Sequence, residues 1–203
     1  MALQETYRGQ PINVGTLSER ERTAVGLSTH STIVELGHQH PVTFDEMREM
    51  IEYAYDAGIV GFDTETTGFD PFLDKIILVQ VGDQERQYLV WWQNVPDDVK
   101  LVFRQHFYEE PEIIKAGFNL RFDQRMFLGQ EGMQWRMARA ADCQLLEQIL
   151  NRGLTGDIGF TLMQTSLGNT AKRWLGLEMV KDEDTRTGWG NLTPGFGRAP
   201  RQR

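Results

Sequence analysis

Cysteine is nearly missing from this 203-residue chain. Cys143 stands alone, so no intramolecular disulfide can form and a reducing compartment is expected. No stretch approaches the ~18 consecutive apolar residues of a membrane span, and the opening MALQETYRGQ lacks an apolar signal core. These features point to the cytoplasm and to no membrane partner. Basic residues are outnumbered, with 21 Lys and Arg against 29 Asp and Glu, for a formal net charge of −8. That balance excludes a module that grips nucleic acid by its overall charge alone. It does not exclude an enzyme whose carboxylates hold cations that then meet phosphate. A Gly-rich phosphate loop with its Lys, a nucleophile elbow and paired cysteines for zinc are also absent.

What remains is a strand-and-helix pattern. Residues 1–40 mix charged and small polar residues without sustained periodicity and read as an extension, part strand and part disorder. HPVTFDEMREMIEYAYDAG predicts a helix with Thr43 as N-cap, Glu46 three residues on, Met47, Ile51 and Ala54 at helical spacing, and Gly58 as its end. IVGFDTE, KIILVQVGD and RQYLVWW predict three strands of an antiparallel meander. PDDVKLVFRQHFYE reads as a helix and EIIKAGFN as a short interior strand. Three more helices follow, in LRFDQRMFLGQEG, in ARAADCQLLEQILNRG with Leu145, Leu146, Ile149 and Leu150 on its apolar side, and in TLMQTSLGNTAKRWLGLEM, ending near Gly176. Residues 182–203 are dense in Gly and Pro and read as a loop or disordered tail. The expected architecture for residues 41–181 is α/β, a mixed sheet of antiparallel meander plus parallel strands flanked by helices.

Within GFDTETTG, Asp63 and Glu65 are two residues apart on a strand and project to the same face. Two like charges held close repel, and a divalent cation between them removes the problem. Oxygen-only ligands suit Mg²⁺ or Mn²⁺ rather than zinc. Asp123 lies just past the interior strand, and Asn119 four residues before it is one helical turn away. Two strand ends converging on three carboxylates make a site for a metal pair that clamps an in-line attack on a phosphodiester.

FDTETTG and NLRFD resemble the first two motifs of the DEDD superfamily of 3′–5′ exonucleases, in the style of RNase D and the proofreading domains of family A DNA polymerases. The similarity extends over roughly residues 42–194, through KIILVQVGD, ADCQLLEQIL and TSLGNTAKRWLGLE. The resemblance implies a ribonuclease H-like fold and removal of nucleotides from single-stranded 3′ ends, with DNA favoured over RNA. It implies two divalent cations, Mg²⁺ or Mn²⁺, bound by Asp63, Glu65 and Asp123, Asp63 bridging the two. Thr66 and Thr67 would lie against the terminal nucleotide, Gly68 would let backbone approach, and Asn119 would help hold the strand. Phe122 and Phe69 stand between stacking on bases and packing in the core, with the core favoured for both.

The family's fourth acid, an Asp preceded by Tyr or His on a late helix, has no counterpart, since neither Tyr nor His occurs after Asp123. Asp142 reads as a helix cap rather than a ligand. Three explanations stand open: a split gene, a truncated product, or a divergent protein kept for binding; the first two are favoured. A downstream polypeptide or a polymerase would then be the partner supplying the missing motif. Elsewhere, one ring of Trp91–Trp92 is expected to pack and the other to cap a sheet edge. Trp135 and Trp174 read as packing residues, His38 and His40 as surface, Cys143 as a small buried hydrophobe on a helix, and Arg198, Arg201 and Arg203 as solubilising.

Overall fold

A computed structural model describes residues 32–150 and 165–176, together with the backbone of 6–7 and 10–11. Thr6–Tyr7 and Gln10–Pro11 pair as a separate antiparallel ladder. The expectations for the remainder of residues 1–31, and for 182–203 with its three arginines, lie outside the described residues.

The helix behind Thr43 spans Phe44–Ala57 (α1), and its ends are set by the residues that the sequence nominates. The Glu46 amide donates to the Thr43 hydroxyl at 3.3 Å, and the Thr43 amide donates to Glu46 Oε2 at 2.8 Å, closing a capping box. Gly58 stops the helix at φ 68°, its amide donating to the Ala54 carbonyl. Met47, Met50, Ile51 and Ala54 form the buried face.

That face covers a six-stranded sheet of β1 (Thr32–Leu36), β2 (Ile59–Thr66), β3 (Ile76–Gly82), β4 (Arg86–Trp91), β5 (Ile114–Gly117) and β6 (Ala140–Asp142), in the order β1-β4-β3-β2-β5-β6. β2, β3 and β4 form the expected antiparallel meander, while β1, β5 and β6 add parallel strands. With helices α2 (Asp97–Phe103), α3 (Leu120–Gln130), α4 (Cys143–Leu150) and α5 (Leu167–Leu175), this is a ribonuclease H-like α/β arrangement. β3 is buried on both faces apart from Gln80, as its unbroken apolar run requires.

Several elements depart from the sequence pattern. β1, within the segment read as an extension, pairs with β4 over five residues and buries Leu36. The Ala-rich start of the helix around Cys143 is instead strand β6, because Ala140–Asp142 pair in parallel with Lys115–Gly117 and tertiary pairing overrides local helix propensity. α2 runs into a π-turn at Arg104–Tyr108, where the Glu109 amide reaches back five residues to the Arg104 carbonyl at 2.8 Å. The widened turn sends both Phe107 and Tyr108 inward, against Phe62, Phe103 and Phe127.

Trp92 is fully buried among Phe103, Phe127 and Trp135, while Trp91 lies stacked on exposed His38 with ring centroids 5.2 Å apart. Trp135 is in the core, and Trp174 fastens two helices, its Nε1 donating to Glu147 Oε2 at 2.5 Å. α4 is turned opposite to its composition. Leu145, Leu146, Ile149 and Leu150 do share a side, but they are exposed, and Glu147 is the buried residue, paired with Arg173. The same rotation leaves Cys143 exposed rather than buried as expected.

Candidate functional site

Along β2 the side chains alternate strictly. Val60, Phe62 and Thr64 point into the core, and Asp63 and Glu65 share the other face, Asp63 exposed and Glu65 half-buried. Their common direction follows from strand geometry alone. The ladder to β3 holds Asp63 opposite Gln80 and Glu65 opposite Leu78, then shifts register between Glu65 and Thr66, where the chain leaves the sheet. Gln80 Nε2 lies 3.4 Å from Glu65 Oε1 as a long hydrogen bond.

Asp123 reaches this strand from α3. β5 runs parallel to β2 and feeds α3 at its end, so the first turn of the helix stands over the last residues of β2. Gly117 makes the close approach possible, since a Cβ there would strike the Phe62 carbonyl and Leu120. Asp123 is 2% exposed, and its Oδ1 accepts from Thr64 Oγ1 at 2.6 Å. Burial pushes its carboxyl up to about 7, the Thr64 hydrogen bond pulls the other way, and the charge of Asp63 adds to the rise. Asp123 thus feels the charge of Asp63, yet one of its oxygens is committed to Thr64. Among the described residues no three His, Cys, Asp or Glu side chains are grouped to hold an ion. The donor chemistry itself, carboxylate oxygens with no nitrogen or sulfur ligand, fits a hard divalent cation.

Asn119 departs from the one-turn argument. It is the N-cap of α3, left-handed at φ 66° and exposed, and its amide donates to Asp142 Oδ1 at 3.0 Å. The helix begins only at Leu120, so Asn119 and Asp123 do not stack as helical neighbours. Asp142 caps as read, also accepting from the Gln144 amide at 2.9 Å.

The turn after β2 is locked by its own polar groups. Thr66 Oγ1 donates to the Gly68 carbonyl at 2.7 Å, Thr67 Oγ1 to Asp74 Oδ1 at 3.2 Å, and the Asp70 amide to Asp74 Oδ2 at 2.9 Å. Asp74 fills the space beside Gly68, so the missing Cβ there serves the closure of the turn itself. On this rigid turn Phe69 is 84% exposed and meets half-buried Phe122 edge-on, centroids 6.0 Å apart. The core role favoured for Phe69 is therefore corrected: a turn held to α3 through Pro71 projects it outward. Phe122 does pack against the core. Phe72 and Leu73 are exposed on the same turn, and Arg121 and Arg125 are exposed one turn apart on α3, none of them marked by a sequence signal. For Thr64 the available signal is its position between two acids.

His38 pairs with Glu35 at 2.9 Å, and both His38 and His40 are exposed, as expected for surface residues. Among the described residues no helix is long and apolar enough to cross a membrane.

A family model described as 3′-5′ exonuclease matches residues 40–194. No curated protein sequence matches the chain. Among solved structures, the Nibbler EXO domain of Aedes aegypti is similar with a TM-score of 0.62 at 14% identity, over 77% of this chain and 74% of that one. RNase D of Escherichia coli, an exoribonuclease involved in structured RNA processing, gives 0.57 at 17%, over 84% of this chain and 38% of that one. NrnC of Brucella melitensis, seen with bound Mg²⁺, gives 0.50 at 15%, over 75% and 65%. At these identities the likenesses show the fold, and this chain spans well under half the length of the E. coli enzyme.

Proposed function

Since the chain belongs to the 3′-5′ exonuclease family, we propose that it hydrolyses phosphodiester bonds at the 3′ ends of single-stranded nucleic acid, with DNA, as in proofreading, preferred to RNA. The observation that carries this reading is the outward pair Asp63 and Glu65 at the end of β2, with Asp123 brought over the same strand by α3. Two divalent cations, Mg²⁺ or Mn²⁺, held by Asp63, Glu65 and Asp123, would supply the Lewis acidity that activates water and offsets phosphodiester charge. The bound Mg²⁺ of the Brucella relative supports that choice.

The chain's own residues do the positioning. The locked turn presents Thr66, Thr67 and Gly68 as a rigid wall for the terminal nucleotide, so little order is lost on binding. Phe69 and Phe122 offer an edge-on pair of rings beside it, where stacking contributes about 1–3 kcal/mol per base. Asn119, exposed at the mouth of α3, supplies an amide side chain to the strand.

A second reading has its own support. Among the described residues no three carboxylates are grouped to hold an ion, and Asp123 is enclosed at 2% exposure. On this reading the chain binds a 3′ end or a polymerase without cutting, or cuts only when a second polypeptide supplies the last acid.

A 5′-labelled oligonucleotide incubated with Mn²⁺ separates these. The enzyme reading expects stepwise shortening from the 3′ end that Asp63→Ala abolishes. No shortening at high protein concentration, even with the candidate partner polypeptide added, contradicts it. Oligonucleotide binding that survives Asp63→Ala would then support the binding module.

A further inference from the structure

Thr64 lies between Asp63 and Glu65 in sequence but faces the other way, 7% exposed, under α3. An inward strand position beside Phe62 calls for an apolar β-branched residue. Valine has nearly the same shape as threonine and suits a strand as well, so packing does not account for the hydroxyl. What the hydroxyl does is visible: Oγ1 donates to Asp123 Oδ1 at 2.6 Å, across 59 residues of chain. No other side-chain donor among the described residues reaches this carboxylate.

We propose that Thr64 is a positioning residue, fixing the helix-borne Asp123 against β2 through Oδ1 so that this carboxylate can act with the Asp63–Glu65 pair. The inference rests on the reading of these three acids as cation ligands. It makes Thr64 the link between the strand motif and the helix motif. Hydrogen-bond partners of metal-binding side chains commonly matter 10- to 100-fold for affinity or rate.

The test compares the full chain with Thr64→Val and Thr64→Ser, titrating Mn²⁺ alone and counting free ion by electron paramagnetic resonance, with melting temperatures alongside. Thr64→Val is expected to weaken Mn²⁺ binding by about 10- to 100-fold with its melt little changed, and Thr64→Ser to stay within about threefold of the parent because the donor is kept. On an oligonucleotide, Thr64→Val is expected to lower kcat with KM nearly unchanged. If Thr64→Val does not fold, Thr64→Ala removes the donor without adding a methyl. Parental Mn²⁺ affinity in a variant lacking the hydroxyl overturns the proposal, as does a Ser variant as weak as the Val one. If the parent chain itself takes no Mn²⁺, the reading of the acids as ligands fails at that arm and the proposal with it. Failure confined to the variants leaves that reading standing.

Discussion

Lys115 sits on β5 in the middle of the sheet with no solvent exposure, its Nζ donating to the Phe107 carbonyl at 3.0 Å and the Glu110 carbonyl at 2.7 Å. Burial lowers its pKa from 10.5 to about 8, against the opposing pull of Glu110. The folded chain therefore gives up this proton more easily than the unfolded one. Between pH 8 and 10.5 the unfolded state holds more protons, so stability rises with pH across that window and the penalty is complete below it. At neutral pH the penalty is about 3 kcal/mol. Urea unfolding at pH 8 and pH 10 should show the parent gaining stability relative to Lys115→Met; parallel profiles would contradict this. Asp123 and Lys115 share a lesson in legibility. Asp123 stood out in the sequence and Lys115 did not, and the groups that hold them, the Thr64 hydroxyl and the carbonyls around the π-turn, come from elements whose facing is fixed only by the fold. Thr43, Glu46 and Asp142 were readable because their partners lie within three residues.

At the scale of elements, α4 and α5 are joined by Glu147, 3% exposed, which accepts from Arg173 Nε at 2.6 Å and from Trp174 Nε1. Removing one member of a buried pair strands the other charge, at about 3–5 kcal/mol. Arg173→Met should cost that much in urea unfolding, and the double variant with Glu147→Met should recover part of it. Equal losses in single and double variants would argue against a coupled pair. The outward side of α4 predicts the opposite behaviour: Ile149, 66% exposed, should tolerate Lys within about 0.5 kcal/mol, while Met50→Ala in α1, with no exposure, should cost about 2–5 kcal/mol. Period and composition found these helices, yet they did not show which side of α4 meets the sheet. An apolar stripe in the sequence reads as a core face, and here the single carboxylate of α4 goes inward with its partners from α5. β1 and β6 were hidden for a related reason. Each pairs in parallel with a strand distant in sequence, and Ala140–Asp142 carries no strand signal of its own.

The whole molecule combines an acidic balance of −8 with a family whose substrates are polyanions. A net charge of that sign does not attract such a substrate; on the proposed reading the cations do, which predicts oligonucleotide binding that depends more on Mn²⁺ than on low salt. The fold was legible because the motifs fall at strand and helix ends in a fixed order. In the candidate site, the shared face of Asp63 and Glu65 was legible from a two-residue period, while the meeting of Asp123 with Thr64 comes from the packing of α3 on β2, which the sequence does not display. Anomalous diffraction from a crystal soaked in Mn²⁺ tests the central claim most directly. The account predicts a peak bounded by Asp63, Glu65 and Asp123 that is missing in Asp63→Ala. A well-ordered crystal with no peak there, or with Mn²⁺ only at His38 and His40, would contradict it.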